Sequence, residues 1–138
     1  MLLEQFEGLK VGNCGGGEEC ASSDIAFGHS NEYQSDATVL EWQRLLSTTL
    51  VNIGEVHHSH GALFVDGSGA WYGMSFIHDA FWFEGASFEE AVERILLGRK
   101  GKAMLRPNQT SVSLYGVEIG AGHPDAHNWR DGAWRPGQ

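Results

Sequence analysis

Between Gly61 and Gly98 the spacing of apolar positions changes from that of strands to that of a helix, and turn and cap residues bracket the change. Ala62 to Val65 is a short apolar run, and the Asp66-Gly67-Ser68-Gly69 after it is turn chemistry, because glycine adopts positive φ without a Cβ clash. Ala70 to Met74 then predicts the return strand of a hairpin. The aromatic run Ala80-Phe81-Trp82-Phe83, closed by Glu84-Gly85-Ala86, predicts a third strand. From Ser87 the period becomes helical, with Phe88, Ala91, Val92, Ile95 and Leu96 on one face. Ser87 followed three residues later by Glu90 predicts a capping box. Glu89 and Glu90 suit the positive pole of the helix, and Gly98 stops it with Arg94 and Arg99 near the negative pole. The expectation is an antiparallel meander with a capped amphipathic helix lying on it.

Upstream, Met1 to Gly8 predicts the last turns of a short helix striped by Leu2, Leu3 and Phe6, and Asp24 to Phe27 predicts a short strand. Val39, Trp42, Leu45, Leu46 and Leu50 predict a helix from Asp36 or Thr38 to about Thr49, with Asp36 as N-cap and Trp42 as a core anchor. Val51 to His57 returns to strand. Beyond Gly98, Ser111 to Ile119 alternates with a break at Gly116 and predicts one extra strand with a bulge, whereas 121–138 shows no period and predicts a loosely ordered tail. The fold class is therefore α+β, an antiparallel β-meander of about four strands with α-helices packed on it. The domain spans 1–98 and a C-terminal extension covers 99–138.

The order of these signals resembles a known family. An apolar strand, an Asp-Gly-x-Gly turn, a return strand with Trp71-Tyr72, a further strand ending in Gly85 and the capped helix Ser87-Phe88-Glu89-Glu90-Ala91 to Leu97-Gly98 together resemble the SUKH-3 branch of the SMI1/KNR4 (SUKH) superfamily. Phe6-Glu7-Gly8-Leu9 resembles that family's Phe-Gly-Gly-Leu, with Glu7 departing from it, and Gly54-Glu55 resembles its Leu-Gly-Glu approach to the sheet. The resemblance implies a bacterial immunity protein that neutralises a polymorphic toxin, notably a nuclease or nucleic-acid deaminase, by binding rather than by chemistry. The alternative is a non-catalytic scaffold or regulatory interaction domain, the superfamily's role outside toxin loci.

Charge sharpens the partner class because it is unevenly spread. Residues 1–93 carry 15 acidic side chains against only Lys10 and Arg44, and 94–138 carry three acids against seven bases, within a net charge of −9 over 138 residues. Such a body argues against a nucleic-acid binder, which needs cations that displace counterions from phosphate. It suits association with a basic protein. The basic run Arg99, Lys100, Lys102 and Arg106 is expected to be a solvated helix end complementing the dipole and the acidic body. No apolar run approaches the roughly 20 residues of a membrane span, and the start has no signal-peptide pattern, so a cytoplasmic location is expected.

Candidate chemistry is sparse. Cys14 and Cys20, in a glycine-rich stretch, lack the spacing of a CxxC pair and a second pair to complete a zinc site. His57, His58 and His60, with His78, Asp79 and Asp66 as the only nearby ligand types, read as a solvated turn rather than a metal centre. Neither a deaminase signature nor a nucleophile elbow is present, so no catalytic residue, metal or cofactor is expected. The partner-binding candidates are the carboxylates Asp66, Asp79 and Glu84 beside the aromatics Trp71, Tyr72 and Trp82, subject to which of them look outward.

Overall fold

A computed structural model describes residues 8–12, 17, 24–28, 33, 36–56, 61–75, 79–114, 117–130 and 133–136. In chain order the described elements are β1 (Lys10–Val11), β2 (Ile25–Phe27), α1 (Ala37–Leu46), β3 (Val51–Val56), β4 (Gly61–Val65), β5 (Trp71–Ser75) and β6 (Ala80–Gly85). There follow α2 (Phe88–Leu97), β7 (Lys102–Leu105), β8 (Ser111–Leu114), β9 (Val117–Gly120), β10 (Ala126–Arg130) and β11 (Ala133–Pro136). The first seven strands pair antiparallel in sequence order, so the meander is longer than the four strands expected. β10 then joins β7 in parallel and β11 pairs antiparallel with β10, completing a nine-stranded sheet. A parallel pair needs a crossover connection, and here the crossover contains the separate β8–β9 hairpin.

Both helices begin and end on local chemistry. The Asp36 carboxylate accepts from the backbone N–H of Thr38 at 2.9 Å and Val39 at 3.2 Å, satisfying donors that the first turn leaves free. Ser47, at φ 56°, ends α1 short of the expected Thr49. Ser87 Oγ accepts from Glu90 N–H at 3.2 Å, which is one half of the expected capping box. The Glu90 carboxylate turns instead to Arg94 one helical turn on, at 3.3 Å. Gly98, at φ 67°, closes α2 in the left-handed conformation that favours glycine.

Side-chain alternation sends the sheet's apolar residues to both faces, and each face is covered. On one face Val39, Trp42 and Leu45 of α1 pack on Phe64, Tyr72, Met74, Phe81 and Met104, with Trp42 stacked on Phe81 at 4.2 Å. On the other, Ala91 and Ile95 of α2, with Phe88 and Val92 beside them, cover Ile25, Phe27, Val56, Leu63 and Trp71. Next to α2 on that second face, Val112, Leu114 and Ile119 of the hairpin cover Trp82, Ala103, Leu105 and Ala126. The apolar stripe read for 88–96 therefore faces the core.

Two expectations for the C-terminal segment change. The single bulged strand expected over 111–119 is two strands paired with each other, and the tail expected to lack regular structure carries β10 and β11. The physical reason is that β10 is ordered by a partner strand about 20 residues away, as in Ala126↔Ala103, and such a pairing leaves no local period to read. Of the short helix expected over Met1 to Gly8, residues 1–7 lie outside the described residues, as do Cys14, Cys20 and His57 to His60.

Candidate partner-binding surface

The three candidate aromatics turn out to be buried, each for a reason visible in the strand register. Trp71 packs under α2 with its ring 5.4 Å from Phe88, and Tyr72, its neighbour on the opposite face, stacks on Phe81 at 5.3 Å. Trp82 faces Gly73 across the β5–β6 pair, where a Cβ would lie 2.1 Å from the indole. The missing side chain is the slot that the indole fills. All three rings serve the core rather than the surface of this fold.

Glu84 shares the face of Trp82 and is also buried. Burial pushes its carboxyl up to about 7, while the indole N–H donated by Trp82 and the positive charge of Arg94 act in the opposite direction. Arg94 in turn donates to the Lys100 carbonyl at 2.9 Å, so a buried carboxyl joins β6, α2 and the start of the C-terminal segment. Its role is internal.

Asp66 organises the hairpin turn between β4 and β5. Its Oδ1 accepts from Ser68 N–H at 2.8 Å, Ser68 Oγ–H at 2.7 Å and Ala70 N–H at 3.0 Å, and its Oδ2 accepts the Tyr72 hydroxyl at 3.0 Å. Partial burial alone would raise this carboxyl, but those donors outweigh it and hold Asp66 below its ordinary value. Burial, together with the same contact to Asp66, raises the Tyr72 phenol. Four donors leave this carboxylate with little capacity for a partner.

Asp79 alone among the candidates is well exposed. It sits at φ 48°, a left-handed conformation that aspartate tolerates better than most residues, immediately before β6. Gln109 Nε2 donates to its carbonyl at 3.1 Å, and Arg106 pairs with its carboxylate. The other arm of the Arg106 guanidinium reaches Glu41 Oε1 on α1 at 3.2 Å. Glu41 also lines a groove of about 490 Å³ with Ala37, Thr38, Leu40 and Arg44. Leu40, Glu41 and Arg106 were not singled out as site residues from sequence. Leu40 falls off the apolar stripe of its helix, and that was the available signal.

Three members of the basic run after α2 form ion pairs. Arg99 meets Glu93 at 3.2 Å, Lys102 meets Asp125 at 3.1 Å and Arg106 bridges Glu41 and Asp79. Lys102 is also the largest influence lowering the Asp125 carboxyl. Among the described residues no group of three or more His, Cys, Asp or Glu is placed to hold a metal ion, and no helix is long and apolar enough to cross a membrane.

Comparison with known sequences bears on the same region. A sequence model of the SUKH-3 immunity protein family matches residues 1–98, from the chain start to the glycine that closes α2. Searches of curated proteins and of solved structures returned no match.

Proposed function

The chain belongs to the SUKH-3 immunity protein family, and on that premise we propose that it neutralises its toxin by direct binding, the toxin being a basic domain of the nuclease or nucleic-acid deaminase type. The observation that carries the toxin class is the charge balance of the body, 15 acidic side chains against two bases over residues 1–93. An enzyme that handles nucleic acid presents cations to phosphate, and an acidic partner complements that face and excludes the substrate from it. The family is generally non-catalytic, and the described carboxylates Asp66, Glu84, Glu41 and Asp79 are engaged as turn, latch and ion-pair groups.

Of the six candidate residues, Asp79 offers a carboxylate to a partner, whereas the Asp66 carboxylate is taken up by its four turn donors. Trp71, Tyr72, Trp82 and Glu84 are buried and offer no side chain to a partner. The test is co-expression with the toxin encoded beside this gene. Growth is restored and a stoichiometric complex is recovered if the reading holds, with an association rate that falls steeply between low salt and 1 M, where the Debye length is about 3 Å. Unrelated neighbouring genes and no complex with any such toxin would point to the scaffold role instead.

A further inference from the structure

We propose that the link between α2 and β7, residues 98–101, is a proton-operated latch: its closed form is favoured while Glu84 is protonated, and a lifted form gains population as Glu84 ionises. Glu84 is 4% exposed, and three pieces of chain meet around its carboxyl. From β6 itself, Trp82 donates its indole N–H. From the link, Gly101 is buried so closely that a Cβ on it would lie 3.3 Å from Glu84 Oε2, 3.0 Å from the Trp82 ring and 2.6 Å from the Phe83 carbonyl oxygen. From α2, Arg94 ties the link down, donating from Nη1 to the Lys100 carbonyl at 2.9 Å and from Nη2 to Glu90 at 3.3 Å. Its Nε is buried and has no acceptor among the described residues.

Such surroundings suit an acid better than its anion. A carboxylate taken out of water needs donors or a paired cation, and otherwise keeps its proton. Arg94 acts on Glu84 but spends the bonds of Nη1 and Nη2 on Lys100 and Glu90, so burial dominates. The other charged groups near this joint are engaged elsewhere. Arg99 pairs with the exposed Glu93, and Lys100 acts on Asp125. Lys102 pairs with Asp125 and sits opposite Phe83 in the β6–β7 register, on the face of His127 rather than that of Glu84, and β8 carries no titratable side chain. The charged form gains water only if one of the covering pieces moves. Residues 99–101 have no regular structure and are fastened by single contacts such as Arg94 to Lys100, so the link gives before α2 or β6. Ionised Glu84 then supplies the acceptor that Arg94 Nε lacks. The family match ends at this link, so the latch governs how the C-terminal strands join the rest.

Amide hydrogen exchange on the full chain, resolved by NMR and corrected for its intrinsic pH dependence, tests the latch. Protection of the 99–101 amides is expected to fall about 30-fold between about pH 5 and pH 7 and then to level off, because the lifted state ionises at the ordinary carboxyl value and the closed state at about 7. In Glu84→Gln it stays within about threefold over the same range. Urea below the unfolding transition separates the latch from global unfolding: it speeds exchange in β4 and β5 and leaves 99–101 unchanged. Should Glu84→Gln fail to fold, the wild-type Trp82 indole N–H resonance reads the same carboxyl, with its midpoint expected where the amide protection levels off. Protection over 99–101 that is flat with pH, or that changes only in step with β4 and β5, overturns the latch, as does an indole resonance that does not titrate.

Discussion

Strands β2 to β6 and strands β7, β10 and β11 lie in one sheet, yet interactions of different range hold them there. In the first group each strand pairs with the next along the chain, and the connections are closed by nearby groups, such as the Asp66 carboxylate over residues 68 to 72. The second group is joined by the parallel pair β7–β10 across the β8–β9 hairpin. It is bound to the first by Trp82 under Leu105, Val112 and Ile119, and by Trp134 stacked on Trp42 at 5.4 Å. The family match ends at Gly98, but the sheet does not. The strand that follows the match is paired into the same sheet, and contacts of high sequence separation carry a larger loop-closure cost than neighbouring ones.

Removing the second group is the strongest way to break this comparison. A chain ending at Gly98 leaves β6 without β7 and bares Trp82 and Phe81. We expect the loss of more than about 5 kcal/mol, enough to abolish a cooperative thermal transition. A truncated chain that melts cooperatively near the full-length temperature would show that the two groups are independent.

Trp82→Ala tests the joint itself. Emptying the slot beside Gly73 should cost about 3–5 kcal/mol, read from the denaturant midpoint. A cost below about 1 kcal/mol would mean the hairpin face is not a packed core.

Glu84 gives the comparison a pH dependence. Its carboxyl rises from 4.5 to about 7 on folding, so the folded state favours the protonated form. Stability from this group is fully present below about pH 4.5 and is lost as pH rises through about 7, a change on the order of 3 kcal/mol. Glu84→Gln should remove that slope from a series of melts between those limits. An identical slope in the variant would place the titration elsewhere.

The smallest effect is local to the first group. Ser87→Ala removes the acceptor for Glu90 N–H and should cost about 1 kcal/mol by chemical denaturation, with the fold otherwise kept.

Asp36, Ser87 and Gly98 announced both helices because a cap acts on backbone groups within a few residues, so type and spacing carry the whole signal. The meander was legible for the same reason: apolar runs of strand length separated by turn chemistry have few other solutions. The direction of each side chain was not. Ala80 to Gly85 is covered on both faces, and a strand buried on both sides reads as a continuous apolar run with no inward and outward residue. Only the packed sheet put Trp82 beneath the hairpin, Glu84 beside Arg94 of α2 and Phe81 beneath α1. The exposed carboxylate at Asp79 could be named from sequence, but its meeting with Glu41 through Arg106 joins residues 65 positions apart along the chain. Local chemistry leaves a local trace in the sequence, whereas an ion pair at that separation exists only once the sheet between its ends has closed.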